Sequence, residues 1–134
     1  MTTGAAYCWG NNGSGQLGDG TKIDCSVPVA VSGGHAFASV STGGWHSCWL
    51  TTAGVAYCWG SNVFGRLGNG PDTDSSVPVV VSGGHTFASV STRESYNCGV
   101  TTAGAAYCWG NNNWCQLGDG TSTNSSVPVA VNRP

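Results

Sequence analysis

The chain has 134 residues, enough for one ordinary domain and too few for two. Only 7% of them are charged, the net charge is −2, and Lys22, Arg66, Arg93 and Arg133 are the only Lys or Arg side chains. That leaves no basic stripe for nucleic acid and no polybasic patch for anionic lipid, and no apolar run is long enough to span a bilayer.

In chain order the first predicted strand is the Tyr7-Cys8-Trp9 segment. Asn11-Asn12-Gly13 and Asp19-Gly20 then supply turn chemistry, with residues that tolerate positive φ. A second strand is predicted from Val27 to Val31, where Val27, Val29 and Val31 share one face and Pro28 suits a strand start or an edge. Gly33-Gly34 turns the chain into a third strand from Phe37 to Ser41, and a fourth runs from about Trp45 to Thr51.

The series then repeats. Cys-Trp-Gly at 8–10, 58–60 and 108–110 sets a period of 50 residues without a gap. Leu-Gly-Asp/Asn-Gly recurs at 17–20, 67–70 and 117–120, and Ser-Val-Pro-Val at 26–29, 76–79 and 126–129. The chain is therefore one repeat domain, residues 1–134, in copies 1–50, 51–100 and an incomplete 101–134. A period in this range signals a solenoid, propeller or array. Four strands per unit predict an all-β fold of propeller blades with four antiparallel strands, about two and a half blades in all. Such a count suits either a piece of a longer chain, or copies that complete a ring or stack into a filament, because unpaired sheet edges are templates for association.

Tyr57-Cys58-Trp59-Gly60, Gly65-Arg66-Leu67-Gly68-Asn69-Gly70, Pro78-Val79 and Val90-Ser91 resemble the regulator-of-chromosome-condensation repeat, in the Cys-bearing variant of bacterial members. Ser41 to Cys48, with its Gly43-Gly44-Trp45-His46 core, resembles the same family's Gly-x-x-His segment. The likeness covers essentially the whole chain. It implies a closed propeller. It implies little about activity, since members range from nucleotide exchange on a small GTPase to light sensing and β-lactamase inhibition.

A turn at Thr51-Thr52-Ala53-Gly54 with a Gly bulge pairs Thr51 with Val55, which sets Cys48 opposite Cys58. The next copy sets Cys98 opposite Cys108 in the same way. Both pairs are expected as cross-strand disulfides, the alternative being buried free thiols. Cys8 continues the series with a partner that would precede residue 1, and Cys25 and Cys115 stand outside it. Disulfides favour an extracellular or cell-surface protein. No leader follows Met1, so an exported chain has lost it or carries it outside these residues.

Residues shared by all copies are expected to pack: Trp9, Trp59 and Trp109 in the core or between blades, His35 and His85 in turns. Residues that break the repeat are the candidates for recognition: Trp45, His46, Trp49, Phe64, Arg66, Arg93, Glu94, Tyr96 and Trp114. They fall in the loop after the Cys-Trp strand and around the start of the fourth strand, and Trp, Tyr and Arg dominate interface energetics. Drift, or packing against a neighbouring blade, is the competing explanation. No Cys-x-x-Cys, His-x-x-x-His or phosphate loop occurs, and a metal set from Cys25, Cys115 and His46 has no recognised spacing. The expectation is a non-enzymatic module without cofactor or metal. It binds a protein, peptide or glycan, or else assembles with copies of itself or the rest of a longer propeller, and contacts neither nucleic acid nor membrane.

Overall fold

In the computed structural model, which describes residues 4–132, the short runs between Gly-, Asn- and Asp-rich turns become ten strands. These are β1 (Tyr7–Gly10), β2 (Cys25–Ala30), β3 (Phe37–Thr42), β4 (His46–Thr51) and β5 (Ala56–Gly60). They continue as β6 (Ser75–Val80), β7 (Phe87–Thr92), β8 (Tyr96–Thr101), β9 (Ala106–Gly110) and β10 (Ser125–Ala130). Neighbours are antiparallel, in sheets ordered β1-β2, β3-β4-β5-β6 and β7-β8-β9-β10. Among the described residues the one helical feature is a 3-10 turn at Val63–Gly65. The fold is all-β, a half-blade followed by two four-stranded blades of a partial propeller. Each complete blade takes two strands from one copy of the repeat and two from the next, so the blades span residues 37–80 and 87–130.

Local chemistry sets the register. Gly54 adopts φ 81 and closes the turn, with Thr51 N donating to Val55 O at 2.9 Å. Cys48 then faces Cys58 and Cys98 faces Cys108, and both pairs are disulfide-bonded with Cα atoms 4.1 Å apart. Pro78 and Pro128 lie on β6 and β10, the edge strands, where a missing N–H costs no ladder bond.

Blades stack through a Trp-on-Gly contact. The Trp59 indole lies over Gly18 so closely that a Cβ there would be 2.6 Å from Nε1, and Nε1 donates to Gln16 O at 2.9 Å. Trp109 repeats the contact over Gly68, again at 2.6 Å. Both indoles are fully buried, Trp59 with Phe37 and Trp49, Trp109 with Leu50, Leu67 and Phe87. Backbone bonds from Gly20 N to Ser76 O and from Gly70 N to Ser126 O tie the same blades together.

Trp9 departs from the expected packing. It is 63% exposed, because β1 pairs only with β2 and no Gly seat covers its ring among the described residues. Gly118, the third seat, is likewise exposed.

Candidate functional site

Alternating strand direction carries the β3–β4 and β7–β8 hairpins and the three long loops after β1, β5 and β9 to one end of the blades. Each long loop is built on a fully buried Asn. Asn62 Oδ1 accepts from Leu67 N at 2.9 Å, and its Nδ2 donates to Pro71 O at 2.8 Å and Thr73 O at 3.0 Å. Asn12 and Asn112 make the equivalent bonds in their own loops. One side chain thus replaces the backbone ladder that a loop of this length lacks. The turn composition announced the loops. The organising role of Asn12, Asn62 and Asn112 was signalled only by their identity in all three copies.

The repeat-breaking residues separate into two groups. Trp45, Phe64 and Trp114 are 49%, 38% and 86% exposed on this loop face, and Arg93 and Glu94 are exposed beside them. Tyr96 is half-buried. His46, Trp49 and Arg66 lie inside. Trp49 packs edge-to-face on Phe37 at 5.4 Å and on Trp59 at 5.2 Å. In the next blade this position is Gly99, where a Cβ would meet Phe87 at 2.7 Å.

Arg66 links the two groups. Its Nε donates to Val63 O at 2.9 Å and its Nη1 to Glu94 O at 2.8 Å, which fixes the 3-10 turn against the β7–β8 hairpin. The guanidinium carbon lies 5.9 Å from the Phe64 ring centroid. Burial draws the Arg66 pKa below its ordinary value, opposed by Asp74 and Glu94, and an Arg side chain stays charged regardless. Phe64 holds φ 66, a left-handed conformation that costs a bulky residue about 1–3 kcal/mol.

Beneath this face, Asn97 joins three elements. Its Nδ2 donates to Arg66 O at 2.6 Å, so its Oδ1 accepts from His46 Nε2–H at 2.8 Å. His46 is therefore the neutral Nε2–H tautomer, an assignment made from the bonding network, with Nδ1 buried and unpartnered. Burial pushes its pKa down to about 4, the Asn97 bond opposing and Arg66 assisting. Asn97 occupies the repeat position of Ser47, whose Oγ donates to Gln16 O at 3.2 Å. Gln16 O accepts from both Ser47 Oγ and Trp59 Nε1, whereas Arg66 O accepts from Asn97 Nδ2 and Trp109 Nε1 is buried without a partner.

A groove of about 480 Å³ lies between β1 and the β3–β4 hairpin of the next blade, lined by Tyr7, Cys8, Trp9, Val40, Ser47 and Trp49. Burial, with Asp19 nearby, raises the Cys8 thiol to about 11, so it stays protonated at neutral pH. Cys25 and Cys115 are also free thiols. Among the described residues no group of three or more His, Cys, Asp or Glu is placed to hold a metal ion, and no helix is long and apolar enough to cross a membrane.

Comparison with known proteins agrees with this architecture. No curated protein sequence matches the chain. Among solved structures, human WBSCR16 superposes with a TM-score of 0.83 at 26% identity, over 94% of this chain and 34% of that one. Prp20p from Saccharomyces cerevisiae, described with its binding properties to Gsp1p and histones, gives 0.82 at 23% identity over 96% and 34%. Yeast RCC1 (Prp20) in its structure with Kap60 gives 0.79 at 20% identity over 96% and 33%. The chain thus spans about a third of the length of the structures it matches. The regulator of chromosome condensation (RCC1) repeat matches residues 3–50, 53–93 and 103–134, and a second description of that repeat matches 37–66. With ten antiparallel strands in the repeat's order and its sequence pattern along most of the length, the chain belongs to the RCC1 repeat family.

Proposed function

We propose that this chain is a non-enzymatic binding module whose loop face recognises a protein. The observation that carries the reading is the exposure of Trp45, Phe64 and Trp114, aromatics that the repeat does not require, beside Arg93 and Glu94. Large aromatics on a rigid frame give contact area at low entropic cost. Here the frame is fixed by the buried Asn residues and by Arg66, and Phe64 is held in a costly backbone conformation. Yeast Prp20p binds Gsp1p and histones and has been solved with Kap60, which supports protein as the partner class. Peptides and glycans are the other ligands that such aromatics accept. The two disulfides support an oxidising location, outside the cell or on its surface.

A triple variant, Trp45→Ala/Phe64→Ala/Trp114→Ala, tests this against panels of extracellular proteins and glycans. It should keep the wild-type circular dichroism spectrum and bind the wild-type partner at least about tenfold more weakly. Undiminished binding by the triple variant would overturn the loop-face reading.

A further inference from the structure

Each of the three long loops opens on a four-residue turn closed by the same bond. Gly15 N donates to Asn12 O, Gly65 N to Asn62 O and Cys115 N to Asn112 O, all at 3.0 Å. In the first and third turns the N–H of the third residue points at the side chain that follows the turn. Ser14 N donates to Gln16 Oε1 at 2.9 Å, and Trp114 N to Gln116 Oε1 at 2.8 Å. In the middle turn the other end of the same peptide unit faces that way, and Val63 O accepts from Arg66 Nε at 2.9 Å. The 63–64 peptide is therefore turned over relative to 13–14 and 113–114.

The backbone angles carry the same inversion. Phe64 lies at φ 66 and ψ 12, whereas neither Ser14 nor Trp114 has a positive φ. Turning over the central peptide converts a type I turn to type II, which places its third residue in the left-handed region where Gly or Asn is the usual occupant. Nothing in a Phe side chain favours that state. The side chain two residues on does. Gln offers an oxygen that accepts from an N–H, while a guanidinium has donors only and must face a carbonyl. Arg66 Nη1 also donates to Glu94 O at 2.8 Å on the β7–β8 hairpin, and this second anchor holds the guanidinium against the turn. The first loop has its own following hairpin, β3–β4, so Gln16 and Arg66 meet equivalent backbone surroundings.

We propose that Arg66 is the positioning residue of the middle loop: it inverts the 63–64 peptide, so that this loop presents a backbone N–H, that of Phe64, where the first and third present a carbonyl. The inversion stands apart from any partner, and its consequence for recognition rests on the loop-face reading above. On that reading, the partner group that meets the turn beside the Phe64 ring is a hydrogen-bond acceptor, a carbonyl or carboxylate oxygen.

The inversion is tested by NOE spectroscopy and amide hydrogen exchange on the 134-residue chain alone. A type II turn brings Val63 Hα close to the Phe64 N–H, and a type I turn brings the two N–H groups together. Wild type should show the first pattern at 63–64 and the second at 13–14, with the Phe64 N–H less protected than that of Ser14. Arg66→Gln should restore the type I pattern and protect the Phe64 N–H, while Gln16→Arg should bring the type II pattern to 13–14. Two small substitutions give an independent readout. Phe64→Gly should unfold at a higher urea midpoint than Phe64→Ala, and the order should reverse in the Arg66→Gln background, where φ is negative. An unchanged NOE pattern in either variant, or the same order of midpoints in both backgrounds, would overturn the proposal. In the binding panel above, Arg66→Gln should weaken the wild-type partner by about tenfold. Undiminished binding there would remove the acceptor assignment and leave the inversion intact, and a panel without any partner would remove the loop-face reading alone.

Discussion

His46 and Asn97 sit on β4 and β8 of adjacent blades and meet in a buried hydrogen bond of 2.8 Å, His46 Nε2–H donating to Asn97 Oδ1. Burial, not this bond, holds the imidazole neutral, since a protonated ring would donate the same bond to a side chain whose amide group is already committed to Arg66 O. Charging the buried ring therefore works against blade docking.

Stability should therefore fall in mild acid. The folded His46 pKa of about 4 lies below the ordinary 6.5, so between these values the unfolded chain binds a proton that the folded chain does not. Unfolding free energy should be level above pH 6.5, fall as pH drops to about 4, and lose about 3 kcal/mol over that window. Asp19 and Asp119, whose folded pKa values lie below the ordinary 3.8, contribute only at lower pH. Denaturant titrations at a series of pH values should show the slope, and His46→Gln should flatten it between pH 4 and 6.5.

The Trp-on-Gly stack makes identical residues unequal. Trp59→Ala removes a fully buried indole and should cost about 3–5 kcal/mol, whereas Trp9→Ala, measured on monomer in reductant, should cost about 1 kcal/mol or less. Gly68→Ala meets Trp109 at 2.6 Å and should destabilise by about 2–4 kcal/mol, against about 1 kcal/mol for Gly118→Ala, where positive φ is the main obstacle. Equal losses at Gly68 and Gly118 in chemical denaturation would contradict the unequal packing of the two seats.

Reduction should loosen the hairpins without erasing the fold. Each disulfide closes a short loop, 10 residues apart in sequence, for which chain entropy gives about 2–3 kcal/mol. Urea midpoints measured with and without reductant should differ by about that amount per bond, and the paired Cys58→Ser and Cys108→Ser variant should be insensitive to reductant at those sites.

Asn62 should be the most sensitive polar residue of the middle loop. Asn62→Ala strands Leu67 N and leaves Pro71 O and Thr73 O without their donor, at about 2–4 kcal/mol in total. Limited proteolysis should then cut within residues 63–74 well before global unfolding.

Most of the architecture was legible in the sequence, because a period of 50 residues repeats each turn and strand signal up to three times. The hairpin register, and with it Cys48–Cys58 and Cys98–Cys108, followed from the Thr51–Gly54 turn alone. Burial was less legible. Identity across copies made Trp9 look like Trp59, but burial belongs to the neighbouring blade as much as to the residue. Departure from the repeat marked His46, Trp49 and Arg66 together with Trp45, Phe64 and Trp114, yet a substitution between blades and one at the loop face look alike in a single sequence. His46 and Asn97 lie 51 positions apart, so only the packed structure brings them together.

The blades straddle the copies counted from residue 1, so a 50-residue excision can fall inside a blade and still leave whole blades behind. Deleting residues 51–100 would join Leu50 to Thr101, carry β4 through an unchanged Thr-Thr-Ala-Gly turn into β9, and set Cys48 opposite Cys108. Trp109 would then arrive over Gly18 in place of Trp59. A chain built this way can gain or lose a whole copy without exposing a new edge, because every splice falls inside a hairpin that the next copy completes with the same residues. Length becomes a property that recombination can change in fixed steps of one period.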